Sequence, residues 1–333
     1  MNLPPKTTLN MTLDKTLKIG VNTMHRRTEP GVGQWLPKID VLVRVVEQVD
    51  QLGYDSFWCG DHISMEIPFL DPLLQIAQAA VASRRLMFGT SVYLLPLRHP
   101  TPVAKQVATI DLLTEGRFIF GVGVGGEFPK EYEACGVPRH ERGARLAESI
   151  QVCRKLWSGD SVSNDGKFYP FEDVRMTPAP AQLGGPPIWC GGRAKGALER
   201  TGRMGDGWFS YAVTPQMYRD GLAVIDQAAN VAGRVLETFG TAHLLFARVA
   251  DSADQALDEA AEHLSIRYGM DMRPATKRYG ALGAPEDVAA CIRAYHDAGV
   301  RHISLDFAGP YERRYEQLER FANEVRPLLQ DLM

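Results

Sequence analysis

The chain has 333 residues, 45% of them hydrophobic and 23% charged, with a formal net charge of −3. This is a globular composition, long enough for one large α/β barrel or two smaller domains, and its mild acidity speaks against nucleic acid or an anionic membrane as the main partner. No apolar run approaches the length of a membrane span, and five scattered cysteines without C-x-x-C and eight histidines without H-E-x-x-H point to reduced thiols in a cytoplasmic protein with no metal centre.

Residues 1–16 are polar, lack the apolar stretch of a secretory signal, and read as a frayed tail. Strand-like runs then alternate with helical patterns almost to the end. Residues 17–22 form the first strand, and Leu42, Val45, Val46 and Val49 follow the spacing of one helix face. A second strand covers 54–59 and closes on Gly60, Asp61 and His62. A helix over 71–83, with Asp71 as cap and Pro72 at its first position, leads to a third strand at 86–93. A helix over 102–113 precedes a fourth strand at 117–122, which runs into Gly123, Gly125, Gly126 and Glu127. A loop is expected from there to about Arg139.

After a helix over about 141–157, residues 158–186 break the alternation. They are rich in Gly, Pro, Asp and Ser, with a strand-like piece at 167–171, and read as an insertion carrying a small hairpin. The stretch 187–209 is a compact strand–helix–strand unit: Ile188, Trp189 and Cys190, a turn at Gly191 and Gly192, a helix from Ala194, and a new strand from Asp206. A helix over 215–232, a seventh strand at 242–250 and a helix over 252–264 follow. Residues 266–284 are a second insertion, whose Arg267, Arg273, Lys277 and Arg278 suit the anionic tail of a ligand but read by default as a solvated basic loop. A helix over 285–298, an eighth strand at 302–307 and a helix over 312–329 close the chain. Eight strands alternating with helices, with no change of composition to mark a boundary, predict an α/β fold of the (β/α)8 TIM-barrel type as a single domain over 1–333.

In such a barrel the active site lies at the C-terminal ends of the strands. The unusual residues fall there: Asn22, Asp61 and His62, Ser91 and Val92, Gly123 to Glu127, Gly191 to Arg193, and Gly207 with Trp208. At Gly191 and Gly192 the backbone can approach a ligand at the start of a helix, where the helix dipole and the cations Arg193 and Lys195 favour a phosphate. The same residues also suit a glycine-rich loop with two solvated cations. Gly121-x-Gly123-x-x-Gly126 matches a dinucleotide fingerprint only formally, because no helix opens directly after it. It reads either as close backbone approach to a flat ligand or as tight packing at the rim. His62 suits proton transfer or holding a substrate oxygen, against a structural histidine beside a capping Asp61. Glu127 suits a partner acid or base, against a solvated glutamate.

Taken together, Gly53-Tyr54-Asp55-Ser56-Phe57-Trp58 with Gly60-Asp61-His62, Gly89-Thr90-Ser91-Val92, Arg117-Phe118 through Gly126-Glu127, and Gly191-Gly192 through Gly205-Asp206-Gly207-Trp208 resemble the luciferase-like monooxygenase superfamily. That superfamily includes enzymes using the deazaflavin coenzyme F420. The resemblance runs from about Leu17 to the C-terminus. It implies a barrel holding a flavin-like ring, with a non-prolyl cis peptide at Ser91-Val92 behind the ring. Gly191, Gly192 and Arg193 are expected on the phosphate, with Asp61, Ser91, Val92, Gly125 and Gly126 also lining the cofactor, and His62 and Glu127 acting at the substrate. The implied function is an F420-dependent oxidoreductase acting on a small organic substrate. The alternatives are an FMN-dependent two-component monooxygenase served by a separate reductase and, in a different class, a barrel that binds a flavin without turnover. A homodimer formed through helices near the second and third strands is expected from the resemblance as well.

Overall fold

The computed structural model describes residues 9, 11–23, 38–65 and 67–333. Eight parallel strands close on themselves: β1 (Lys18–Asn22), β2 (Ser56–Cys59), β3 (Met87–Thr90), β4 (Phe118–Val122), β5 (Ile188–Gly191), β6 (Gly207–Tyr211), β7 (Gly240–Val249) and β8 (His302–Phe307). Each pairs with the next, and β8 closes the ring by pairing with β7 through Leu305↔Leu245 and with β1 through Ile303↔Ile19. Most strands are apolar runs without alternation because a parallel sheet wrapped in helices is buried on both faces. Phe57, Trp58 and Cys59 on β2 and Phe118 and Phe120 on β4 are fully enclosed.

The helices form where caps and periodicity place them. Ile39–Gln51 buries Val45, Val46 and Val49 against the sheet. Pro72–Ala79 starts where the Asp71 carboxylate accepts the Leu73 and Leu74 N–H groups. It ends sooner than the expected 83.

A plug of aromatic side chains fills the barrel beneath the rim. Trp58 stacks on Trp189 at 5.6 Å between ring centroids, and Phe209 lies 4.9 Å from Trp58. A Cβ added at Gly207 or Gly240 would fall 2.4 or 2.3 Å from the Trp189 ring, so both positions are kept small by the plug. Two histidines are sealed into the barrel wall. His302 Nε2 lies 2.6 Å from Ser56 Oγ, and His243 Nδ1 lies 2.7 Å from Ser210 Oγ. Burial pushes each histidine pKa down to about 3, so both are neutral.

Several expectations need correction. Residues 1–8 and 10 of the expected tail lie outside the described residues, but Met11 is buried and Thr12 N–H donates to Leu236 O at 2.9 Å, so the segment before β1 packs onto the barrel. The first insertion does carry an antiparallel hairpin, of Ser161–Asn164 and Phe171–Arg175. The expected strand at 167–171 is mostly its connection, because Glu148 on the preceding helix accepts the Phe168 and Tyr169 N–H groups and withdraws them from any ladder. The second insertion is largely regular. The helix Ala253–Tyr268 runs past the expected 264 to a left-handed Gly269, then come a helix Arg273–Tyr279 and a short strand, Ala281–Gly283, parallel to β7. A short helix, Pro129–Ala134, occupies the expected loop after β4. The closing helix is interrupted by a π-helical turn at Phe321–Val325 and a 3-10 segment over Arg326–Leu332, where Pro327 has no N–H to continue an α ladder.

Candidate active site

Most of the residues expected at the rim meet in one open cavity of about 260 Å³ at the C-terminal ends of the strands. Gly207 and Trp208 do not, because they open β6 and lie below it, Gly207 against the Trp189 ring and Trp208 buried. Asp61, His62, Ser91, Val92, Gly125, Gly126, Glu127, Gly191, Gly192 and Arg193 line it, and Asn22 does as well.

The wall after β2 is built around two buried carboxylates. Asp61 accepts the Leu94 N–H at 2.8 Å and forms a two-pronged ion pair with Arg98, whose Nη2 lies 2.9 Å from Oδ1. Arg98 in turn sits 4.3 Å over the Tyr93 ring. Both Asp61 oxygens are therefore engaged in joining the loop after β2 to the loop after β3. The second carboxylate, Glu131, comes from the short helix after β4. Its Oε1 accepts the Ile63 and Ser64 N–H groups at 2.6 and 3.1 Å, and its Oε2 lies 3.2 Å from His62 Nδ1.

Burial by itself would raise the Glu131 pKa, but the hydrogen bonds from His62, Ser64 and Ile63 prevail and hold the group below the ordinary carboxylate range. An ionised acceptor at Nδ1 places the imidazole proton on that nitrogen, leaving Nε2 as the lone-pair edge, with no protein partner among the described residues. Phe69 and Phe128 hold the ring edge-on, at 4.9 and 5.1 Å between centroids.

The floor lies between β3 and β5. The Ser91–Val92 peptide is cis, as expected. Ser91 N–H donates to Cys59 O and Ser91 Oγ to Asn22 Oδ1, while Thr90 Oγ1 donates to Gly121 O at 2.6 Å. Val92 fills the space left by two glycines. A Cβ at Gly123 would lie 2.4 Å from Val92 Cγ2, and one at Gly191 would lie 3.1 Å from both Val92 methyls. These two glycines thus answer to packing, whereas Gly125 (φ 61°), Gly126 (φ 119°) and Gly192 (φ 113°) hold backbone turns that other residues rarely adopt.

After β5, Trp208 Nε1 donates to Gly192 O at 2.8 Å and Arg193 Nη1 to Ala212 O at 2.6 Å, fixing the turn. The helix Lys195–Met204 begins at Ala194 with no side-chain cap, so no side chain accepts from its first N–H groups. Glu127 stands exposed on the rim above.

The far wall was not anticipated. Phe209, Tyr211 and Leu244, together with Tyr268 from the second insertion, complete the cavity, and Asp306 on β8 reaches its edge. Arg267, expected in a solvated basic loop, is buried and grips Asp306 with both nitrogens, at 2.6 and 3.1 Å. Glu131 and Tyr268 lie in segments taken for loops, where neither spacing nor composition marks an inward side chain. The one available signal for Glu131 was Pro129, a residue suited to the first position of a helix.

Comparison with known proteins agrees with this architecture. The family model for the luciferase-like monooxygenases matches residues 17–320. The 4-hydroxyprotoasukamycin monooxygenase of Streptomyces nodosus subsp. asukaensis is 30% identical over 269 residues, covering 77% of this chain and 68% of the relative. An F420-dependent glucose-6-phosphate dehydrogenase of Amycolatopsis mediterranei is 29% identical over 323 residues, covering 87% of this chain and 95% of the relative. Among solved structures, the monooxygenase RslO1 from Streptomyces bottropensis superposes with a TM-score of 0.80 at 24% identity, over 93% of this chain and 99% of that one.

Proposed function

The chain belongs to the luciferase-like monooxygenase family, and from that premise we propose that it is an oxidoreductase dependent on coenzyme F420, acting on a small organic substrate. Relatives named for F420 and relatives named as monooxygenases both occur, and both names fit an enzyme that uses a deazaflavin or a flavin. Support for a planar, phosphate-bearing guest comes from the cavity itself. Its floor is kept flush by Gly123 and Gly191 around Val92, and an uncapped helix start with Arg193 stands beside it. When bound, the cofactor supplies or accepts the hydride.

The observation that carries the choice of F420 is His62 with its proton held on Nδ1 by Glu131. Oxidation of an alcohol releases a hydride from carbon and a proton from oxygen. Nε2 of His62 is the lone pair available to take that proton, and Glu131 stabilises the imidazolium that results. Phe69 and Phe128 keep the ring in place. Arg193 and the start of the Lys195–Met204 helix hold the phosphate, and Glu127 assists proton movement at the rim.

A second reading rests on the 30% identity to a monooxygenase: FMN-dependent oxygenation with reduced flavin from a separate reductase, in which His62 acts as a donor to the reacting oxygen. Titration of the purified protein with F420 and with reduced FMN, followed by absorbance and fluorescence, separates the two. Saturable F420 binding supports the proposal, and tight FMN binding without response to F420 overturns it. A barrel without turnover would bind cofactor yet be indifferent to His62→Ala. The assembly proposed is a homodimer, for which light scattering should give twice the chain mass.

A further inference from the structure

Strand order places β6 four strands from β2 around the eight-stranded ring, so Tyr211 at the end of β6 stands across the cavity from His62. Its hydroxyl donates to the hydroxyl oxygen of Tyr268 at 3.3 Å. Tyr268 has no other hydrogen-bond partner among the described residues, and because Tyr211 already occupies a lone pair on its oxygen, the Tyr268 proton is the one left to offer to the cavity.

This pair is held firmly. Tyr268 is the last residue of the helix Ala253–Tyr268, and its neighbour Arg267 clamps that helix end to β8 through the buried Asp306, with His263 Nε2 at 2.9 Å from the same guanidinium. Tyr211 packs edge-on against Phe246 at 5.8 Å. Leu244 packs in the same apolar cluster as both tyrosines, and Phe209 and Val92 add further apolar surface to the cavity lining. Charges at the cavity are mostly engaged: Asp61 with Arg98, His62 with Glu131 and Asp306 with Arg267, while Arg193 donates to Ala212 O. Among the described residues lining the cavity, Glu127 carries the one carboxylate without an ion-pair partner, and a negative charge there repels an anionic substrate.

We infer that the Tyr211–Tyr268 pair is a substrate-anchoring site, selecting an uncharged, largely apolar substrate whose acceptor oxygen, distant from the reacting carbon, takes the Tyr268 hydrogen bond. The inference rests on the proposed oxidoreductase reading but holds for either cofactor, since it concerns the wall opposite His62. It sets this chain apart from a sugar-phosphate substrate such as that in the name of the Amycolatopsis relative.

Three matched probes test it by calorimetry on the full-length protein, without turnover and in phosphate buffer that keeps the anion site beside Arg193 filled: 4-(hydroxymethyl)acetophenone, which has the distant acceptor oxygen, 4-ethylbenzyl alcohol, which lacks it, and 4-(hydroxymethyl)phenyl phosphate, which replaces it with an anion. The wild type should bind the acetyl compound about tenfold more tightly than the ethyl compound, as expected for one hydrogen bond, and the phosphate most weakly. Tyr268→Phe should abolish the acetyl preference and leave the ethyl compound's Kd unchanged. Tyr211→Phe should reduce the preference without abolishing it, and unchanged melting curves for both variants would establish that they fold. An acetyl preference that survives Tyr268→Phe, tightest binding of the phosphate, or failure of all three probes to bind overturns the inference. The cofactor titration is a separate measurement, so a wrong cofactor assignment would show there and not here.

Discussion

Glu131→Gln changes one buried atom and tests the proton-handling half of the site directly. In the native site Oε1 accepts two backbone N–H groups, from Ile63 and Ser64, while Oε2 faces His62 Nδ1 at 3.2 Å. The glutamine oxygen must stay with the two backbone donors, so its NH2 takes the place of Oε2 and points at Nδ1. Two donors then face each other unless His62 moves its proton to Nε2, and that tautomer presents no lone pair to the substrate. Folding should suffer little, about 1–2 kcal/mol, because the tautomer switch restores a neutral hydrogen bond in place of a charge-assisted one.

Catalysis should suffer much more. Loss of a positioned general base costs about 10²–10⁴ in rate, or roughly 3–5 kcal/mol of barrier. Steady-state kinetics of the cofactor-loaded variant should show this loss in kcat with KM nearly unchanged, and urea unfolding should show only the small stability deficit. That deficit has a pH signature. A carboxylate held below its usual value of 4.5 stabilises the fold above that pH and loses the contribution as pH falls through the folded value. Variant and wild type should therefore converge in stability as pH falls from 4.5 through that lowered value. A kcat within threefold of wild type, or a change confined to KM, would refute the role given to Glu131.

Other perturbations have equally definite outcomes. Gly123→Ala puts a Cβ 2.4 Å from Val92 Cγ2 and should cost about 1–3 kcal/mol in urea unfolding, most of it recovered in the double variant with Val92→Ala. Asp61→Ala leaves the Arg98 guanidinium largely enclosed with only the more distant Asp71 carboxylate, 3.7 Å from Nη2, as an ion-pair partner, and should destabilise by about 3 kcal/mol, more than the Asp61→Ala, Arg98→Met double variant does. His243 and His302, lowered from 6.5 to about 3, must stay neutral in the fold but can protonate once it opens. Their contribution is present above pH 6.5 and is lost as pH falls toward 3, with a limiting slope of about 2.7 kcal/mol per pH unit for two protons. A urea midpoint unchanged between pH 7 and pH 5 would contradict it.

Strand count, barrel closure and the residues at the strand ends were legible in the sequence because each rests on a local pattern. Ile188-Trp189-Cys190 before a double glycine, or Asp71 before Pro72, indicates its structure within a few positions. The partners that determine what those residues do were not legible. Asp61 reads as a capping residue and, by the resemblance, as one lining the cofactor, yet its carboxylate is occupied by Arg98, 37 positions away. Arg267 reads as a solvated cation because its partner, Asp306, lies 39 positions on, within a strand. Glu131 and Tyr268 depend on how a six-residue helix and the last turn of a long one are tilted over the rim, which periodicity does not encode. Gly123 and Gly191 show the converse: their pattern was visible, but its cause is the shape of Val92 rather than a ligand alone.

The two clamps, Asp61 with Arg98 and Arg267 with Asp306, fasten different parts of the mouth and share no residue. The entrance therefore consists of two independently braced jaws, one holding the apparatus that moves protons and the other holding the surface that chooses the guest. Substitutions on opposite jaws should combine additively. New specificities can then be sought by redesigning the jaw around Tyr268 while the imidazole and its buried acid stay as they are.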